Sequence, residues 1–98
     1  MTKRTRRGQT CHNDSVFRRA VGLETNGWSV KADIQGYKRP QTMNGARPDI
    51  IARKGKKVRI IEVETPDTRF RDRPQHRKLR EFARNHKRIV FNVRTCDM

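Results

Sequence analysis

Apolar and polar positions alternate along this chain in two different periods. From Asn13 or Asp14, either a good N-cap, the residues Phe17, Ala20, Val21 and Glu24 follow the i, i+3, i+4, i+7 spacing of a helix face. That spacing predicts a helix to about Asn26, stopped at Gly27. Trp28, Val30 and Ala32 then alternate with Ser29, Lys31 and Asp33, the pattern of a half-buried strand. Residues 49–53 and 58–64 are two more apolar runs around Gly55, and a two-residue loop (Gly55-Lys56) and a four-residue loop (Lys54 to Lys57) both set Arg53 opposite Val58, Ile51 opposite Ile60 and Asp49 opposite Glu62. A second helix is expected from Pro74 to Asn85, with Leu79, Phe82, Ala83 and His86 inward. The last strand, Arg88 to Arg94, follows a helix, so a tight hairpin with its predecessor is excluded and it should add in parallel by a crossover.

The stretches between these elements are polar. Residues 1–12 are basic without apolar periodicity and read as a flexible arm ahead of a single domain over 13–98. Gln35 to Arg47 reads as a long basic loop in which Tyr37 either stacks on a base or packs on its own loop. Asp67 to Arg73 is polar and irregular.

Composition changes the picture in one respect above all. With 25 Lys and Arg against 10 Asp and Glu, a formal net charge of +15, the chain calls for a polyanionic partner, most naturally nucleic acid. Ninety-eight residues, 32% hydrophobic, make one small core, so stability should be marginal. There is no apolar run of membrane-spanning length and no apolar segment after the basic N-terminus, so a cytoplasmic protein is expected. Cys11 and Cys96 alone do not make a secreted disulfide framework. Cys11 and His12 with Cys96 are a weak zinc set, without CxxC or HxxxH spacing.

Against that basic background three acids converge on one hairpin. In the register above, Asp49 and Glu62 are directly opposed, with Cβ atoms about 4.5–5.5 Å apart, and Glu64 points the same way. Surface pairing with neighbouring Lys and Arg is the plain explanation. Acids that end an apolar strand also suit a hard divalent cation such as magnesium or manganese, which takes carboxylate oxygens, waters and substrate phosphates.

Helix, strand, Pro48-Asp49 opening one strand and Glu62-Val63-Glu64 closing the next, then helix and strand, resembles the PD-(D/E)XK nuclease superfamily over about residues 13–94. The likeness is to its minimal forms, such as archaeal Holliday-junction resolvases. It implies an α/β, restriction-endonuclease-like αβββαβ core, a central mixed four-stranded sheet flanked by two helices. It also implies Asp49 and Glu62 as magnesium ligands, Gln75 near the site, and Glu24 as a further candidate ligand. The family pattern has lysine where this chain has Glu64, and Lys31 on the neighbouring strand is a weak candidate for a displaced one. Glutamate supplies no positive charge to a hydroxide, although some restriction enzymes of the superfamily carry it.

The expected activity is therefore metal-dependent phosphodiester hydrolysis on DNA, with RNA as the other polyanion the charge suits. Asp49, Glu62 and Glu64 would hold the metal, Glu64 would help deliver the nucleophile, and Gln75 would orient it. Lys3, Arg4, Arg6, Arg7, Lys38, Arg39, Arg47, Arg53 and Lys57 would hold the backbone, and a homodimer would be needed to cut two strands. The alternative is a nucleic-acid-binding module on the same fold without cleavage.

Overall fold

The computed structural model describes residues 6–66 and 73–96. Their order is α1 (Arg6–Thr25), β1 (Ser29–Ala32), β2 (Ile50–Lys54), β3 (Lys57–Glu64), α2 (Arg73–Arg84) and β4 (Ile89–Thr95). The sheet runs β1-β2-β3-β4, with antiparallel pairs up to β3 and a parallel β3–β4 pair. This is the expected αβββαβ layout.

The hairpin register is the one the alternation predicts: Ile51 pairs with Ile60, Arg53 with Val58 and Lys54 with Lys57. The loop is the two-residue one, Gly55-Lys56, with Gly55 at φ +60°, a value glycine adopts without strain. Period-2 alternation then splits the apolar residues into two cores. Ile50, Ala52, Ile61 and Val63 face α1 and meet Val16, Ala20 and Leu23. Ile51 and Ile60 face α2 and meet Leu79, Met43 and Ala46. Each fully buried isoleucine or leucine contributes roughly 1.5–3 kcal/mol of transfer free energy.

The first helix differs from expectation in both start and facing. It begins at Arg6, so the arm expected over 1–12 is helical from residue 6, Arg6 and Arg7 included. Tertiary contacts hold this first part: Gly8 and His12 are buried, and Cys11 is bonded to Cys96 across 85 residues. The two cysteines are thus each other's partners, not zinc ligands. The buried stripe is His12, Val16, Ala20 and Leu23, while Phe17 is 52% exposed. Two overlapping stripes fit the helical period, and packing selects the one that starts at His12. Lys3, Arg4 and residues 67–72 lie outside the described residues.

The loop before β2 is packed. Asn44 and Gly45 both have positive φ and close a tight turn that sends Met43 and Ala46 into the α2-side core. Asn44 Nδ2 donates to the Lys78 carbonyl at 3.2 Å, fastening the loop to α2. No described helix is long and apolar enough to cross a membrane.

Candidate carboxylate site

Beyond the Ile50–Ile61 pair, side chains replace the regular ladder. Pro48 has no N–H to offer, and the Val63 N–H that stands opposite it in this register donates to Asp49 Oδ2 at 2.8 Å. The Asp49 N–H in turn donates to Glu62 Oε2 at 3.1 Å, and its carbonyl accepts the Asp33 N–H at 2.9 Å. The strand ends are therefore stitched together by the carboxylates.

The helices close on these acids from both sides. His12 of α1 places Nε2 3.1 Å from Asp49 Oδ1. Gln75 of α2 donates through Nε2 to Glu62 Oε1, and the same nitrogen reaches the Arg47 carbonyl at 3.1 Å. At the next position of α2, His76 Nε2 lies 2.9 Å from Glu64 Oε1. Glu62 and Glu64 are 1% and 2% exposed, whereas the Asp49 side chain keeps 15%, so anything arriving from solvent reaches the pair at Asp49.

Burial decides the protonation of the pair. Loss of solvent, followed by the charge of Asp49 and the hydrogen bond to it, pushes the Glu62 carboxyl up to about 10, so at neutral pH it holds a proton. Burial also acts upward on Asp49, but hydrogen bonds from His12 and Glu62, the His12 charge and the Val63 N–H outweigh it and hold that carboxyl below its usual range. One proton and one negative charge are thus shared between two opposed acids, the arrangement forced on close carboxyls that cannot both ionise.

The structure brings Asp49, Glu62 and Gln75 together as the sequence suggested. Glu64 shares their face but is engaged by His76, and among the described residues no group of three or more His, Cys, Asp and Glu side chains is placed to hold a metal ion. Glu24 is on the exposed side of α1, about 18 Å along the helix axis from His12. Its carboxylate accepts the Tyr37 hydroxyl at 2.5 Å, and that bond, with some burial and the Glu24 charge, raises the hydroxyl to about 12. Tyr37 thus packs against α1, edge-on to Phe17, and not on its own loop. Of the expected phosphate contacts, Lys38, Arg39 and Lys57 are exposed and Arg53 is half-buried, but Arg47 bonds the Pro40 carbonyl at 2.7 Å and braces the loop.

His76 did not figure among the expected site residues, and His12 figured only in the zinc set with Cys11 and Cys96. Each had a signal: His12 leads the stripe continued by Val16 and Ala20, and His76 leads the one continued by Leu79 and Ala83. A titratable residue in line with a buried stripe has to find a partner inside. No family model and no curated protein matches the chain.

Proposed function

We propose that this chain is a divalent-metal-dependent nuclease of the PD-(D/E)XK kind acting on DNA. The observation that carries the reading is the opposed, buried Asp49–Glu62 pair, joined by the Asp49 N–H to Glu62 Oε2 bond, in a chain of net charge +15. The donor set suits a hard cation: Asp49 and Glu62 would hold magnesium or manganese, whose charge would take the place of the shared proton. Bound there, the ion supplies Lewis-acid stabilisation of charge on the phosphoryl oxygens. Gln75 fixes the Glu62 carboxyl from α2 and ties it to the Arg47 carbonyl, so the acid keeps its orientation as the proton leaves. Glu64 Oε1, steadied by His76 Nε2, is the group that would take the proton of an attacking water. Cutting both strands of a duplex would take a homodimer.

A second reading, a binding module without cleavage, is favoured by one specific observation. Glu64 stands in the lysine position and is already satisfied by His76 at 2.9 Å, in a site where neither glutamate is more than 2% exposed. Incubation with linear, single-stranded and four-way-junction DNA, in magnesium, manganese or chelator, separates the two. Metal-dependent cutting that disappears in Asp49→Asn and Glu62→Gln, with binding retained, supports the nuclease. Tight, salt-sensitive binding with intact DNA throughout supports the module.

The cytoplasmic placement belongs to this proposal too, and the Cys11–Cys96 bond pulls against it, because such bonds persist in oxidising compartments. Alkylation of free thiols in protein taken directly from cells decides between them.

A further inference from the structure

The other end of β3 carries a surface that the carboxylate site does not use. Arg59 pairs with Val90, and Ile61 with Asn92, across the parallel β3–β4 ladder. Ile61 belongs to the core under α1, so by alternation Arg59 and Val90 point to the same side of the sheet. The helix packs over β1, β2 and β3 there, and Val90 on β4 is left 53% exposed. Beside it the Arg59 guanidinium lies 5.7 Å from the centre of the Trp28 ring.

Together with Val58 and Asn92 these residues and Lys57, Lys87 and Arg88 line an open groove of about 610 Å³, in which Trp28 is partly buried against the α1-side core. No acid lines it. The cations call for an anion, and the indole and isopropyl surface calls for something flat and apolar. A duplex offers phosphates but keeps its base faces stacked, and an acidic peptide offers charge without a flat face. An unpaired nucleotide offers both, because every base has a π-face and arginine adds a cation–π contact to an aromatic platform.

We propose that this groove binds single-stranded nucleic acid, with an unpaired base stacked on Trp28 and the flanking phosphates on Lys57, Lys87 and Arg88. The inference rests on the nucleic-acid half of the proposed function and not on cleavage. Glu62 lies three residues beyond Arg59, about 10 Å along β3, and faces α2. A strand in the groove and a phosphate at the carboxylates would therefore occupy opposite faces of the sheet.

Trp28 is the only tryptophan, so its fluorescence reports the groove directly. The whole chain is titrated at low salt with oligothymidylate, and in parallel with oligouridylate, a duplex of equal length and polyglutamate. Saturable quenching by the single strands, well beyond that by duplex or polyglutamate, is expected. By anisotropy of a labelled oligothymidylate, Trp28→Ala should bind about tenfold more weakly and Trp28→Phe nearly normally. Val90→Asp, which alters an exposed residue and keeps the indole, should weaken both readouts even if Trp28→Ala folds poorly. Equal quenching by duplex or polyglutamate, or single-strand affinity unchanged in Val90→Asp, overturns the proposal. Asp49→Asn separates it from the nuclease reading: cleavage should go and quenching should stay. Quenching without cleavage by the unaltered chain keeps the groove and removes the nuclease, and cleavage without quenching does the reverse.

Discussion

At the Glu62–Glu64 end of β3 each acid is matched by a side chain from a neighbouring helix, whereas at the Lys57–Arg59 end Lys57, Lys87 and Arg88 project into solvent. The first end is also stapled, because Cys96 follows β4 beside Glu64, whose carbonyl accepts the Cys96 N–H at 2.8 Å, and Cys11 precedes His12. Short-range partners in a low-dielectric setting make the acidic end specific and costly to disturb. Exposed charges act over a Debye length of about 10 Å at moderate salt and cost the fold little. One strand thus carries a rigid site and a compliant surface, and stability measurements should tell its ends apart.

The largest expected effect is loss of the staple. Reduction, or Cys11→Ser with Cys96→Ser, frees a loop of 85 residues and should lower unfolding stability by roughly 2–4 kcal/mol. In urea titrations the loss should come with faster hydrogen exchange at the Val63 N–H and an unchanged Trp28 emission maximum. An equal spectral change at Trp28 would mean that the two ends are one cooperative unit.

Asp49→Ala comes next, at roughly 2–4 kcal/mol, because it removes the buried carboxylate that accepts the Val63 N–H and faces His12. Asp49→Asn keeps an oxygen for Val63 and should recover more than half of that. If the alanine variant melts with the wild type, the carboxylate is not what joins β2 to β3 there.

These partners show where sequence reading stops. The hairpin register was legible because a single slip would have turned Ile50, Ile61 and Val63 onto the wrong face, and the Asp49–Glu62 opposition came with it. Facing on α1 was not, since Phe17-Ala20-Val21 and Val16-Ala20-Leu23 both satisfy a 3.6 period and only the sheet beneath distinguishes them. Glu64 illustrates the same limit: alternation gave its face, but its partner depends on where α2 crosses, which is a tertiary matter. The Cys11–Cys96 contact needs the helix to begin at Arg6, and no apolar pattern announces that start.

Glu62→Gln should stabilise. The folded Glu62 carboxyl titrates well above its ordinary value, so between about 4.5 and 10 the folded state binds more protons than the unfolded one, and stability falls as pH rises through that window. Asp49 has the opposite sign: its lowered value contributes stability above the usual carboxylate range, lost as pH falls through the folded value. Glutamine keeps a donor toward Asp49 with no proton to retain, so relative to wild type the variant should be stabilised at pH 8 and not at pH 4, the gain growing as pH rises through the window. A gain independent of pH would show that Glu62 is not the group holding the proton.

The smallest effect on stability belongs to the open end. Lys87→Glu with Arg88→Glu alters two exposed residues after α2, and surface changes of that kind stay within about 0.5 kcal/mol. Their effect on binding should be far larger than on folding. If both side chains hold phosphates of a single strand, the log-log salt slope should shrink by roughly 1.4, at about 0.7 per contact, because fewer counterions are released. Isothermal titration of oligothymidylate over a range of salt, beside urea melts of the same protein, measures both. A variant that melts early while keeping its slope would place the structural burden on the basic end, and the contrast between the ends of β3 would be the wrong way round.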